Sequence, residues 1–353
     1  MSTTLAWRST DNSVDLQRVL IERRDLRADD IAVRIDYCGV CHSDLHAIHG
    51  VTPHMSDPSG LVPGHEFTGT VTAVGSAVTG FAVGDSVAVG TLVDSCGECD
   101  MCQAGQENFC YRGPLSTYGS KDGVDGTVTK GGYSREYVLR EKFAYHLPAG
   151  LSPAAAAPLM CAGITMWEPL RAAGVGPGSR VAVAGMGGLG HLGVKLAAAL
   201  GAEVTVLSRT PDKAADARAL GADELLLTTD ETQVQQARCR FDVVLDTISA
   251  DHDFLPLLNM LTLDGTLWVL GNPLLSAPPI LALTLGRKKL TSSGTGGTKG
   301  TAEMLTFCAE HGLTADVEVL ASARVGEALT RLEDGDVRYR FVLDMSDLDQ
   351  PEA

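Results

Sequence analysis

Cys96, Cys99, Cys102 and Cys110 follow the spacing CxxCxxCx7C within a single short loop. Four thiolates this close suit a closed, tetrahedral, all-sulfur zinc site. Four cysteines also suit an iron–sulfur cluster, and a single loop in a β-type context favours zinc. A metal held this way keeps no open position, so its role is structural, holding the loop 96–110 in shape. A second concentration of reactive side chains lies between Cys38 and His46, with Cys41, His42, Ser43, Asp44 and His46, and a third at Gly64-His65-Glu66. A catalytic zinc takes about three protein ligands and keeps one position open. A thiolate and a histidine from these two segments are reasonable members of such a set, and nothing in the spacing adds Cys161 to them. Cys38, Cys239 and Cys308 read as ordinary buried or semi-buried cysteines.

The segment Gly185-Met186-Gly187-Gly188-Leu189-Gly190 is a GxGxxG. Alone the pattern is weak, but here it follows an apolar strand pattern and opens a helical one, the context that dinucleotide binding needs. Gly185 suits the tight turn, Gly187 close backbone approach to a pyrophosphate, and Gly190 close helix–strand packing. The helix N-terminus presents free N–H groups to phosphates. An NAD site usually carries an acidic residue about 20 residues further on; this chain has Ser208-Arg209. A guanidinium pairs well with a 2′-phosphate. One charge-assisted hydrogen bond contributes roughly 1.5–3 kcal/mol, about one to two decades of preference. NADP(H) is therefore favoured over NAD(H).

The elements that must position these residues fall into two patterns. Residues 30 to 150 read as mostly β, with strands expected at Asp30–Tyr37, Gly69–Val74 and Ser86–Val89, and no helical period of useful length. From about residue 160 strands alternate with helices: strands at Arg180–Ala184, Glu203–Leu207, Phe241–Asp246 and Thr266–Leu270, and helices at Leu189–Leu200 and Pro211–Leu220. Thr210 is the expected N-cap of the latter and Gly221 lies past its end. Such alternation implies βαβ units and a parallel sheet. The tail reads as a helix at Ala302–His311 and a strand at Arg340–Asp344, too short for a domain. At 353 residues, 44% hydrophobic and 20% charged, the chain can bury two cores. A net charge of −16 argues against nucleic-acid and membrane-surface partners. No secretory pattern opens the sequence, and the apolar stretch Leu151–Leu170 is broken by prolines, so a cytoplasmic protein is expected. Clustered cysteines in that setting more often bind metal than form disulfides.

These segments together resemble the zinc-dependent medium-chain alcohol dehydrogenases, most closely their cinnamyl alcohol dehydrogenase-like branch. The resemblance rests on CysGlyValCysHisSerAspLeuHis at 38–46, ValProGlyHisGlu at 62–66, the four-cysteine loop, LysGlyGlyTyrSer at 130–134, AlaProLeuMetCysAlaGlyIleThr at 157–165 and GlyMetGlyGlyLeuGlyHis at 185–191. It implies an α/β protein with a β-rich GroES-like catalytic domain over 1–160, a doubly wound Rossmann cofactor domain over 161–296, and a return to the catalytic domain over 297–353. Cys41, His65 and Cys161 match the catalytic zinc ligands, with Glu66 a carboxylate that can approach or bind the metal. Asp44 matches the partner that fixes the tautomer of the histidine ligand. Ser43 matches the hydroxyl that bonds the alcohol, and His46 the outer end of a proton relay that also uses the cofactor ribose. His42, Thr165, Gly185, Gly187, Gly188, Leu189, Gly190, Ser208, Arg209 and Lys213 match cofactor contacts. Leu92, Tyr118 and the stretch near Gly294 lie where the family shapes its substrate pocket.

The resemblance thus implies two zinc ions per chain and hydride transfer between NADP(H) and a primary alcohol or aldehyde, aromatic or medium-chain. It also implies a homodimer joined through the Rossmann sheet edge near Leu267–Pro273. An NAD-dependent polyol dehydrogenase is the nearest rival, opposed by Ser208-Arg209. Some members of the branch reduce iminium or conjugated bonds after losing relay residues or ligands, whereas Ser43, His46 and Glu66 are all present here. A non-catalytic dinucleotide-binding protein is opposed by the full set of zinc and relay residues.

Overall fold

Runs of β-branched residues set the strands of the N-terminal segment. In this computed structural model, which describes residues 2–52, 56–57, 59–271, 273, 278 and 280–349, that segment forms β1 (Ser2–Arg8), β2 (Gln17–Arg23), β3 (Asp30–Val40), α1 (His42–Ile48), β4 (Phe67–Val74), β5 (Ser86–Val89) and β6 (Leu92–Asp94). It continues with α2 (Asp100–Gln103), β7 (Leu115–Ser116), β8 (Glu136–Arg140), β9 (Ala144–His146) and α3 (Pro153–Ala156). In β3, Ile31, Val33 and Ile35 are fully buried while Arg34 between them is exposed, the two-residue period of a strand. β3 runs three residues past the expected Tyr37, and β4 starts two residues before Gly69. α1 is a helix where no helical period was expected.

The next segment forms α4 (Ala162–Ala172), β10 (Arg180–Ala184), α5 (Gly190–Ala199), β11 (Glu203–Ser208), α6 (Ala214–Ala219), β12 (Glu224–Leu227), α7 (Glu231–Gln236), β13 (Phe241–Asp246), α8 (Leu255–Met260), β14 (Leu261–Val269), α9 (Ile280–Thr284) and β15 (Lys289–Ser292). Its six strands form one parallel sheet in the order β12-β11-β10-β13-β14-β15. The strand order reverses between β10 and β13, the doubly wound arrangement. The apolar runs behind it are buried, with Val181, Val183, Val204, Val206, Val244 and Leu245 fully so. Two expectations need correction here. Thr210 takes the expected N-cap position but makes no side-chain cap; the Ser208 hydroxyl donates to Thr210 O (2.8 Å) and accepts from Thr210 N–H (3.2 Å), and Pro211–Lys213 is a 3-10 turn leading into α6. And Leu267 does not lie at the sheet edge: β14 pairs with β13 and β15, and β15 is the outer strand among the described residues. Part of the stretch named for the dimer edge, Asn272, lies outside the described residues.

The C-terminal segment forms α10 (Thr298–His311), β16 (Val317–Ala321), α11 (Val325–Glu333) and β17 (Arg340–Asp344). β17 pairs antiparallel with β3, and β16 parallel with β17, completing a seven-stranded sheet with β4, β5, β8 and β9. The chain divides into two compact units, Met1–Cys161 with Gly297–Ala353, and Ala162–Gly296. α10 starts four residues before the expected Ala302. Its N-cap, Gly297, has no side chain; instead the Glu107 carboxylate accepts the N–H (2.8 Å) and hydroxyl (2.9 Å) of Thr298. Among the described residues no helix is long and apolar enough to cross a membrane.

Candidate active site

Strand register brings the first metal-ligand set together. β3 and β4 pair with Cys38 opposite Phe67, and Gly39 N–H donates to Glu66 O at 2.8 Å. Continuing that antiparallel count sets Cys41, just past β3, beside Gly64-His65, just before β4. Gly64 has φ +96°, and a Cβ there would meet Tyr133 at 2.6 Å, so only glycine turns the chain at this point. Cys161 follows a 3-10 turn at Ala157–Met160. The Cys41 and Cys161 sulfurs lie 3.9 Å apart and His65 Nε2 lies 3.2 Å from Cys161 Sγ, with all three side chains buried. Two thiolates on one tetrahedral zinc at the usual bond length stand about 3.8 Å apart, so the spacing fits the ion.

Asp44, in the first turn of α1, organises this set. Its Oδ2 accepts Cys41 N–H (3.0 Å) and the Tyr133 hydroxyl (3.1 Å); its Oδ1 accepts Gly64 N–H (3.0 Å) and faces His65 Nδ1 (3.0 Å). The Cys41 and Gly64 N–H groups can only donate, so the fully buried carboxyl is satisfied as an acceptor. Nδ1 of His65 then carries the proton and Nε2 is left free to bind a metal. Glu66 is not one of the three convergent ligands. Its Oε1 takes an ion pair from Arg340 Nη2, while Oε2 is buried without a hydrogen-bond partner among the described residues. Burial raises the Glu66 carboxyl, and the Arg340 charge opposes the rise.

The four loop cysteines also converge, with sulfur separations of 3.8 Å for Cys96–Cys102 and 3.5 Å for Cys99–Cys102. Backbone N–H groups of Tyr111 and Cys102 lower the Cys99 thiol to about 6, favouring the thiolate a metal needs. In the second unit, β10 ends at the glycine turn. Gly185 has φ +87°, a Cβ on Gly190 would stand 1.9 Å from Gly185 O, and a Cβ on Gly187 would meet nothing within 4 Å. The open space above Gly187 is a cradle into which a pyrophosphate fits and a side chain would intrude. Gly188 and Leu189 complete the turn into α5.

Two family descriptions match the chain: the alcohol dehydrogenase GroES-like domain over residues 27–149, and the zinc-binding dehydrogenase over residues 188–310. A probable formaldehyde dehydrogenase of Bacillus subtilis is 46% identical over 94% of this chain and 95% of its own. An NADP-dependent alcohol dehydrogenase C of Mycobacterium bovis is 45% identical over 99% of this chain and 100% of its own. Among solved structures, a cinnamyl alcohol dehydrogenase of Sorghum bicolor superposes with a TM-score of 0.93 at 39% identity, covering 99% of each chain. The chain belongs to the cinnamyl alcohol dehydrogenase-like branch of the zinc medium-chain alcohol dehydrogenases.

In this dehydrogenase the remaining named residues fall as follows. His42, Ser43 and His46 lie on α1; His42 and Ser43 are exposed and His46 half-buried. Ser43 and His46 are three residues apart and share a helix face. Tyr118 is buried, its hydroxyl donating to Ser43 O at 3.2 Å and its ring centre 5.8 Å from that of His65. Leu92 is half-buried in β6. Ser208 ends β11; Arg209 beyond it is exposed and Lys213 half-exposed. The Thr165 hydroxyl donates to Gly294 O at 3.0 Å, tying α4 to the stretch near Gly294. Arg340 was not anticipated. It sits one step beyond the Phe341–Val40 pair of β17 and β3, which sets it opposite Cys41. The available signal was a charged residue that opens the strand and is buried with the apolar Phe341-Val342-Leu343 that follow it.

Proposed function

We propose that this dehydrogenase interconverts primary alcohols and aldehydes with NADP(H) at the Cys41–His65–Cys161 centre. The observation that carries the reading is the contrast in ligand number: three convergent buried ligands there, against four in the loop. Three protein ligands are the mark of a catalytic zinc, four of a structural one. Zinc held there supplies Lewis acidity to the substrate oxygen, and NADP(H) supplies or accepts the hydride. Cys41 and Cys161 supply the negative charge that binds the metal, and Asp44 fixes the His65 tautomer. Ser43 gives and takes the alcohol proton, and His46, one turn along α1, passes it toward solvent. Arg340 holds Glu66 away from the three ligands. The glycine turn seats the pyrophosphate, while Arg209 and Lys213, both past β11, face the 2′-phosphate together with Ser208.

The Mycobacterium bovis relative's NADP dependence supports this cofactor choice, and the Sorghum bicolor structure supports an aromatic aldehyde as first substrate to try. We further infer a homodimer formed along the outer edge of β15; Ile280, Leu281 and Leu285, on or just after the helix that precedes it in the chain, are exposed. Free thiols in both metal sets suit a reducing, cytoplasmic setting. The test is oxidation of NADPH with cinnamaldehyde beside an NADH control. Turnover that prefers NADPH supports the reading; turnover equal with NADH removes the Arg209 argument. In Arg209→Asp the preference for NADPH should fall by about one to two decades. Ser43→Ala should keep zinc and cofactor and lose turnover, and normal turnover would discard the relay.

A further inference from the structure

The second unit holds a buried acid paired with a half-buried histidine that neither the metal chemistry nor the glycine turn uses. Asp246 ends β13 and is fully buried. The parallel register sets it beside Ala184, the residue before the glycine turn, on one side and Val269 on the other. It therefore stands at the carboxyl end of the sheet, where the strand order reverses, the place at which open α/β sheets bind ligands. The chain then loops through residues 247–252. Thr247 joins this loop to the glycine turn: its N–H and its hydroxyl both donate to Ala184 O at 2.9 Å, and the hydroxyl reaches Gly185 O at 3.0 Å. On the other side the loop packs on Gly271, where a Cβ would meet Ile248 O at 2.2 Å.

Asp246 and His252 close the loop. Asp246 Oδ1 accepts Ile248 N–H at 3.1 Å, and Oδ2 lies 2.9 Å from His252 Nε2. His252 Nδ1 lies 2.9 Å from Ala250 O. A carbonyl only accepts, so Nδ1 carries a hydrogen, and a neutral ring would then turn a lone pair at Nε2 toward the carboxyl. Two lone pairs cannot share that 2.9 Å contact; a proton lies between them, whether it belongs to the ring or to the acid. Burial raises the Asp246 carboxyl, with the His252 charge opposing. The Phe254 ring stands edge-on to the imidazole at 5.1 Å, and Asp253 is engaged by Leu255 N–H at 2.9 Å.

We propose that His252 is a positioning residue for the cofactor: bridged to Asp246 by a proton, it holds loop 247–252 in the shape that NADP(H) meets at the glycine turn, and so sets cofactor affinity without touching the reacting atoms. The inference rests on the reading of that turn as the dinucleotide site. Two variants of the zinc-loaded full chain test it. His252→Ala removes the clip. Asp246→Asn keeps it without the bridging proton, because Oδ1 still accepts Ile248 N–H and the amide donates to the lone pair of a neutral ring. Dissociation constants for NADPH are read by its fluorescence, with steady-state constants alongside.

His252→Ala should weaken NADPH about tenfold, the loss of the hydrogen bond that closes the loop, in both Kd and KM. Its kcat and its KM for aldehyde should stay near wild type, while the melting midpoint falls by a few degrees because the buried Asp246 loses its ring partner. Asp246→Asn should bind NADPH nearly as well as wild type. By nitrogen NMR, His252 should be protonated at both ring positions, or share the Nε2 proton, in wild type and be protonated at Nδ1 alone in Asp246→Asn. Unchanged NADPH affinity in His252→Ala overturns the proposal. So does a loss shared by kcat and both KM values, or an Asp246→Asn protein as impaired as His252→Ala. Failure of the parent reading is visible earlier, as a folded wild-type protein that does not bind NADPH at all.

Discussion

The two cysteine centres of the first unit are built in opposite ways. The loop centre draws four thiols from residues 96–110, two of them only half-buried, and backbone N–H groups of the same loop prepare at least Cys99 for a metal. The other centre draws Cys41 and Cys161 from positions 120 residues apart, adds His65, and buries all three. Its preparation comes from side chains of separate elements: Asp44 of α1 beside Cys41 and Tyr133, and Arg340 on a strand contributed by the C-terminal segment. A local centre needs only its own loop and saturates its metal. An assembled centre depends on the register of β17, β3 and β4, and leaves a ligand position for something other than protein.

The largest effect should come from breaking the local centre. Structural zinc in small modules carries an apparent ~10–16 kcal/mol, comparable to or above the whole stability of a domain. Cys110→Ser should lose the loop metal and lower the melting midpoint by about 10 °C or more, seen in a thermal scan beside a zinc assay; an unchanged midpoint would mean that the loop needs no metal. The assembled centre should respond to its carboxylate next. Asp44→Asn presents an amide N–H₂ to neighbours that are themselves donors. Loss of such partners costs about 10–100-fold in metal affinity or activity, read by competition with a chelator and by turnover with cinnamaldehyde. Equal zinc retention would show that His65 needs no second partner. The smallest effect should be at the contact between loop and tail. Glu107→Gln keeps one acceptor for Thr298 N–H, turns an amide N–H₂ toward the Thr298 hydroxyl, which can accept it, and loses the ion pair to the partly exposed Lys142, worth at most about 1 kcal/mol. The melting midpoint should move by a few degrees with zinc content unchanged, and loss of zinc would show that α10 supports the loop centre directly.

The same contrast governs what the sequence discloses. The four-cysteine loop and the glycine turn are contiguous, so their spacing is their geometry, and both read directly. The strands at Ser86–Val89, Arg180–Ala184, Phe241–Asp246 and Arg340–Asp344 match their expected bounds because short apolar, β-branched runs mark them. Cys161 entered only through the family likeness, since nothing local ties it to Cys41. α1 escaped notice because seven residues give too little period and its cap is a cysteine. The early start of α10 depends on Glu107, far away in the chain. Arg340 and the Asp246–His252 pair acquire meaning only when register and loop geometry are known.

The assembled centre is where the chemistry is placed, so the most direct measurement is zinc content and cinnamaldehyde-dependent NADPH oxidation, side by side, in Cys161→Ala. The variant should fold, hold one zinc per chain in the loop in place of two, bind NADPH, and turn over at less than about one-hundredth of the wild-type rate, since a ligand of the metal that polarises the carbonyl is gone. Wild-type turnover with a single zinc in the loop would contradict the account and move the chemistry away from Cys41, His65 and Cys161.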